Sequence, residues 1–277
     1  MLTRSLAGRD LGRARAILDG GGGTRAARAP MPLESAAPGV EASAGGETYW
    51  LIRRRLAEVS GDDVAVQKRY AAVVRGAGQR LDELSASAGL CHVANGRPEG
   101  PLFMDIETCG LAGSCIFLIG TMAFRRGQLH FEQLLARHYG QEPAILSAFA
   151  ERLAGAAALV TFNGKSFDMT QIRDRCAFHG VDLPAPPPHC DLLHDARRAW
   201  RRSLPNCRLQ TLEQYLCNRR RVGDIPGHMI PDAYHRFVAD GDAAAIKAIC
   251  HHNLLDLLTM SQLVCCLLTG QAANVDG

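Results

Sequence analysis

The sequence predicts an α/β fold, a mixed sheet flanked by helices, preceded by an extension of a different texture. Three observations predict it. Consecutive apolar segments joined by short turns run between Leu102 and Ala136. Strand then alternates with helix from Pro143 onward, and a long apolar helix closes the pattern between Asp242 and Leu268. A meander of strands followed by strand–helix alternation needs antiparallel and parallel neighbours in one sheet, with helices covering its faces.

Along the chain, residues 1–46 are rich in Ala, Gly, Arg and Pro, with an unbroken glycine run from Gly20 to Gly23. Such a segment has too little periodic apolar surface to repay ordering and is expected to be disordered, apart from a short helix over Leu11–Leu18. Residues 47–98 are expected to form a helical extension. Tyr49, Leu51, Ile52 and Leu56 recur at helical spacing, and Val64 to Leu84 continues the pattern. The α/β domain proper is expected over residues 99–270. Leu102–Ile106 reads as a strand, followed by a turn carrying Gly110 and Gly113. Cys115–Phe124 and Gln128–Ala136 are the next two strands, joined at Arg126-Gly127. Pro143 opens a helix to Leu153, where proline suits a first turn. Ala158–Phe162 is a short strand, and Asp168 opens a helix ending near Gly180. After the proline-rich loop Pro184–Pro188, helices follow over Leu192–Trp200, Leu209–Cys217, Pro231–Val238 and Asp242–Leu268.

The bulk properties narrow the class. An apolar content of 47% supports a packed core, and a net charge of +3 declares no global polyanion-binding field. No run reads as the roughly 18 apolar residues a membrane span requires, so no membrane association is expected. The ten cysteines are scattered without a C-x-x-C pair, which argues against a zinc site or disulfide framework. They read as thiols in a reducing, cytoplasmic compartment.

The chemistry begins at Asp105 and Glu107, in Leu102-Phe-Met-Asp-Ile-Glu-Thr. Two residues apart on a strand, their side chains share a face. Carboxylates that close resist joint ionisation unless a cation lies between them, and hard oxygen ligands suit magnesium or manganese. Solvated acids at a strand end are the plainer alternative. Asp168 follows Val160-Thr-Phe-Asn-Gly-Lys-Ser-Phe and is equally a favoured helix-start residue. His251, His252 and Asp256 lie within the closing helix, with Asp256 one turn beyond His252. An acid among so many leucines is costly unless it has a partner.

Taken in order, Asp105-x-Glu107, Asn163 through Phe167-Asp168 and His-x-x-x-Asp256 resemble the three exonuclease motifs of the DEDD superfamily. More narrowly, the region is similar to the YprB-type ribonuclease H-like domains. Asp105-Ile-Glu-Thr-Cys-Gly-Leu, Phe162-Asn-Gly-Lys-Ser-Phe-Asp168, Asp191-Leu-Leu-His, Ile225-Pro-Gly and His252-Asn-x-x-Asp256 carry the likeness, which spans Pro101 to Leu268. The resemblance implies a ribonuclease H-like fold and a metal-dependent exonuclease that trims nucleic acid, DNA or RNA, from single-stranded or 3′ ends. It implies that Asp105, Glu107, Asp168 and Asp256 bind two Mg²⁺ or Mn²⁺ ions about 4 Å apart. One would acidify a water and the other would stabilise the leaving oxygen, while a histidine orients or deprotonates the attacking water. His251 fits a His-x4-Asp spacing and His252 a one-turn offset; adjacent helical residues diverge by about 100°, so one of them acts. His252 is the expected one.

Around this quartet, Asp191 is a candidate auxiliary group or a plain loop acid, and Asn163 a candidate substrate contact or simply a turn residue. Lys165 is a candidate phosphate contact. The arginine clusters Arg197-Arg198, Arg201-Arg202 and Arg219–Arg221 are a candidate phosphate rim or solvated helix faces. Two other functions stay open: a nucleic-acid-binding or structural module that has kept the fold without turnover, and a hydrolase of small phosphodiesters such as dinucleotides.

Overall fold

The computed structural model describes residues 29–271, except 59–62, 80, 82–85, 96 and 112. The disorder expected for residues 1–28, and the helix expected over Leu11–Leu18, lie outside the described residues. Seven strands form one mixed sheet: β1 (Val40–Ala44), β2 (Glu47–Arg55), β3 (Pro101–Thr108), β4 (Ile116–Arg125), β5 (Gln128–Leu135), β6 (Ala158–Thr161) and β7 (His189–Asp191). Their spatial order is β1-β2-β5-β4-β3-β6-β7. The meander from β1 to β3 is antiparallel, while β3–β6 and β6–β7 pair in parallel. The helices are α1 (Leu33–Ala36), α2 (Asp63–Gly76), α3 (Ala88–Val93), α4 (Glu142–Ala154), α5 (Asp168–His179), α6 (Leu192–Trp200), α7 (Leu209–Leu216), α8 (Ile230–Asp240) and α9 (Ala244–Thr269).

Side-chain alternation along β3 sorts the core into two layers. Leu102, Met104 and Ile106 point toward the layer that holds Ile145 and Phe149 of α4, Ile172 of α5 and Tyr234 of α8. Phe103 points the other way, onto Tyr70 of α2 with ring centroids 5.9 Å apart, in the layer that includes Leu257 and Met260 of α9. Because both faces are covered, β3 and β4 are near-continuous apolar runs in which a carboxylate stands out.

The region before residue 99 departs from expectation. Residues 40–44 are ordered as β1, and Glu47–Arg55 is strand β2 where a helix was expected. Thr48-Tyr-Trp-Leu-Ile is a run of β-branched and aromatic residues with high strand propensity. Tyr49 to Ile52 are all buried, so the run carries no true period and its helical spacing is accidental. Gly45 and Gly46, at φ 59° and 85°, make the tight turn that pairs Ala44 with Glu47. Two-residue hairpin turns of this kind need positive φ at both positions, which glycine adopts without strain. Since β2 pairs with β5, the expected extension is built into the sheet, and among the described residues only α2, α3 and short 3₁₀ turns answer to the helices expected over residues 47–98.

A second difference concerns α9. Among the described residues it is the one helix long and apolar enough to cross a membrane. The polar residues His251, His252, Asn253 and Asp256 interrupt that run in the sequence. In this fold the helix is mostly buried, and α9 lies across β3 and β4 as the central helix of one layer.

Candidate active site

The face of β3 that meets α9 carries Asp105 and Glu107. In register, Asp105 lies opposite Gly120 of β4, and Gly120 lies opposite Gln133 of β5. The missing side chain at Gly120 makes room for Asn253: a β-carbon there would sit 2.0 Å from its Oδ1. Asn253, fully buried, donates through Nδ2 to Asp105 Oδ2 at 2.9 Å and accepts from Gln133 Nε2 at 2.8 Å. Gln133 also donates to the Cys250 carbonyl at 2.8 Å. This chain of amides fixes the Asp105 carboxylate from behind.

Parallel pairing of β6 beside β3 brings the β6–α5 loop to the same end of the sheet, and Asp168 opens α5 there, 6% exposed. From α9 come His252 and Asp256, with Nε2 and Oδ2 3.5 Å apart across one turn. His251 is exposed, on the neighbouring face of the helix. Of the two histidines, His252 is therefore the one among the acids.

Electrostatics ties these groups together. Burial, then the charges of Asp256, Glu107 and Asp168, push Asp105 well above the ordinary carboxylate range. Burial pushes Glu107 up to about 8, with His252 opposing and Asp256, Asp168 and Asp224 assisting. Burial raises Asp168 to about 7 against the backbone N–H groups of Asp168 and Ile106, with Asp191 and Asp256 adding to the rise. Two half-buried acids and the buried Asp168, repelling one another's ionised forms, make a site short of positive charge.

Two cations of the protein answer part of that shortfall. Burial alone would lower His252, but its bond to Asp224 and the carboxylates of Asp256 and Glu107 outweigh it and raise the imidazole to about 9. Asp224 places both oxygens 2.9 Å from His252 Nδ1. Arg221, between α7 and α8, donates to Asp256 Oδ1 at 2.5 Å, Glu213 Oε2 at 2.6 Å and Asp224 Oδ2 at 3.3 Å. Among the described residues no three His, Cys, Asp or Glu side chains stand close enough to cage an ion. The quartet thus shares one electrostatic environment with Asp256 engaged by Arg221. The donors are all carboxylate oxygens, the ligand type that suits a hard divalent cation.

Three expected neighbours have different surroundings. Asp191 is 3% exposed, and its oxygens accept the backbone N–H groups of Asn163 at 2.8 Å, Lys165 at 3.0 Å and Leu193 at 3.1 Å. It clamps the β6–α5 loop. Asn163, at φ 66°, and Lys165 bear exposed side chains on that clamped loop. Arg219 and Arg221 point inward rather than forming a rim: Arg219 Nη1 lies 3.2 Å from Glu213 Oε1, and its Nη2 donates to Gln262 Oε1 at 2.5 Å.

Asp224, Glu213, Gln133 and the buried role of Arg221 were not singled out from sequence. Asp224 immediately precedes the Ile225-Pro-Gly turn already noted, which is the one local signal for it. Gln133 and Arg221 act through Asn253 and Asp256, which lie 120 and 35 residues away.

Over residues 102–268 the chain matches the family described as the RNase_H superfamily. The protein described as "Uncharacterized protein YprB" of Bacillus subtilis (strain 168) is 35% identical over 184 residues, which cover 64% of this chain and 44% of that protein. The chain therefore spans less than half the length of this relative. Among solved structures, the family B DNA polymerase from the archaeon Pyrobaculum calidifontis aligns with a TM-score of 0.49 at 16% identity, over 59% of this chain and 24% of that one.

Proposed function

The chain belongs to the RNase_H superfamily, and on that premise we propose that it is a metal-dependent nuclease that hydrolyses phosphodiester bonds of DNA or RNA, releasing nucleotides from 3′ ends. One observation carries this reading: Asp105 and Glu107 of β3 and Asp168 of α5 share one site, with proton affinities raised first by desolvation and further by neighbouring carboxylates. A fold has no structural reason to collect uncompensated acids, whereas a cation site does. The 3′-to-5′ direction follows from the resemblance to DEDD exonucleases.

In this reading Asp105, Glu107, Asp168 and Asp256 hold two Mg²⁺ or Mn²⁺ ions. When bound, such ions supply acidification of water and charge neutralisation at the departing oxygen. Asn253 keeps the Asp105 carboxylate aimed into the site through its 2.9 Å bond. Asp224 fixes the His252 ring through Nδ1, leaving Nε2 to face the acids. With its pKa raised to about 9, His252 is an imidazolium at neutral pH and serves as a counter-ion. With Asp256 and Glu107 neutralised, part of that stabilisation is lost; the ring then releases its Nε2 proton to solvent and, neutral with Nδ1–H on Asp224, can take the proton of the attacking water at Nε2. Lys165 and Asn163, exposed on the clamped loop, are placed to contact the substrate backbone. The ten free cysteines suit a cytoplasmic setting.

The test is hydrolysis of end-labelled single-stranded DNA and RNA with Mg²⁺ or Mn²⁺, comparing wild type with Asp105→Ala. Cleavage that EDTA stops and Asp105→Ala abolishes supports the reading. No cleavage of either polymer, with dinucleotides cleaved instead, would make it a small-phosphodiester hydrolase. No hydrolysis of any substrate would make it a non-catalytic module.

A further inference from the structure

On the other face of the sheet, near the start of β3, lies a cavity of about 310 Å³. Registry fixes its side: Leu102 pairs with Ala123, Ala123 with His130 and His130 with Arg55, all on the face opposite Asp105 and Glu107. Its walls include Arg53, Arg54, Arg55, Arg125 and Arg152, against only Glu58 and Glu132. Arg54, opposite Phe131, alternates to the other side of the strand and bonds the Pro38 carbonyl, so the charged side chains left at the cavity carry a surplus of two positive charges. The acids do not cancel it. Glu132 is shared by Arg53 at 2.9 Å and Arg152 at 2.7 Å, so one carboxylate serves two guanidinium groups. Among the described residues Glu58 pairs with Arg55, at 3.5 Å, with both side chains exposed, where an ion pair contributes little. Arg125 is exposed and makes no ion pair among the described residues.

Below this charged mouth, Leu102 and Ala123 give the cavity an apolar floor. The volume sits at the lower end of the range of about 300–1,000 Å³ typical of small-molecule sites. Guanidinium groups recognise phosphate oxygens in bidentate fashion. We propose that this cavity binds a free nucleoside phosphate, with the phosphates at Arg55 and Arg125 and the nucleoside over Leu102 and Ala123. A nucleic-acid strand fits less well, because a strand engaged at the acids would have to pass around the sheet to reach this face. The site is independent of the nuclease reading and would stand if that reading failed.

Calorimetric titration of the full chain with ADP at low ionic strength tests it. Saturable one-to-one binding is expected, weakened by about tenfold or more in Arg125→Glu and again in Arg55→Glu, each exposed and outside the core. Asp105→Asn, on the other face, is expected to bind ADP as wild type does. Pyrophosphate is expected to bind less tightly than ADP, since it leaves the apolar floor uncovered. The proposal is overturned if ADP does not bind saturably, if Arg125→Glu leaves binding unchanged, or if Asp105→Asn abolishes it. Pyrophosphate binding as tightly as ADP, or a single-stranded oligonucleotide displacing ADP through the same arginines, would also overturn it.

Discussion

His252 is held by Asp224 through Nδ1 and faces Asp256 through Nε2, so its ring has one orientation and a defined free edge. His252→Ala is expected to lower kcat by about 10²–10⁴-fold, the usual range for a general base, while His251→Ala leaves turnover near wild type. The reverse outcome in a kcat comparison would move the base to His251. The site also sets a pH dependence of stability for the metal-free protein. Glu107 rises from 4.5 to about 8, Asp168 from 3.8 to about 7 and His252 from 6.5 to about 9. In each case the folded state binds the proton more tightly than the unfolded state does. Each contribution is therefore present at low pH and is lost as pH climbs through the folded value. Metal-free protein is expected to lose thermal stability between about pH 5 and 9, and Glu107→Gln to flatten that slope, as thermal melts across the range would show. At this scale strand and helix periods pair Asp105 with Glu107 and His252 with Asp256, while the quartet as a set came from the resemblance to the exonuclease motifs. Asp224 and Arg221 could not be read: their roles depend on a loop between α7 and α8 folding back over α9.

Helix α9 and the three strands beneath it form the working unit. Asp105, Gly120 and Gln133 stand in one row across β3, β4 and β5, and Asn253 rests on the glycine. Gly120→Ala puts a methyl group where Asn253 Oδ1 now lies, so α9 must lift or the amide must turn away. The expected loss is about 1–3 kcal/mol of stability, together with weaker metal binding because Asp105 loses its support. An Ala variant with an unchanged melting temperature would contradict this packing. β4, β5, α4 and α5 were legible because their apolar runs are punctuated by glycine or proline: Gly127 turns β4 into β5, Pro143 stands in the first turn of α4 and Gly180 ends α5. β1 and β2 were not read correctly, although Gly45-Gly46 before Thr48-Tyr-Trp-Leu-Ile is a hairpin signal. Four consecutive buried residues have no period, so helical spacing could be found in them by chance. Likewise, the membrane-like character of α9 was masked by its polar residues His251, His252, Asn253 and Asp256.

For the whole molecule, the sheet does not begin at residue 99. β2 covers the edge of β5, and Arg53 bonds to Glu132 across that junction at 2.9 Å. A fragment starting at residue 99 would leave β5 as a bare, apolar edge strand. It is expected to aggregate, whereas a fragment from residue 29 should be soluble and cooperative in thermal melts. A soluble, folded fragment from residue 99 would show that β1 and β2 are dispensable. The complete sheet separates two chemistries, with an acidic cluster under α9 on one face and an arginine-lined cavity on the other. The central claim is that the acidic cluster is a divalent-cation site. Titration with Mn²⁺, following free ion by electron paramagnetic resonance, tests it most directly. Two saturable ions per chain are expected in wild type, and loss of binding in Asp105→Asn and Asp168→Asn variants that remain folded. Failure of wild type to bind Mn²⁺, or undiminished binding in both variants, would contradict the account.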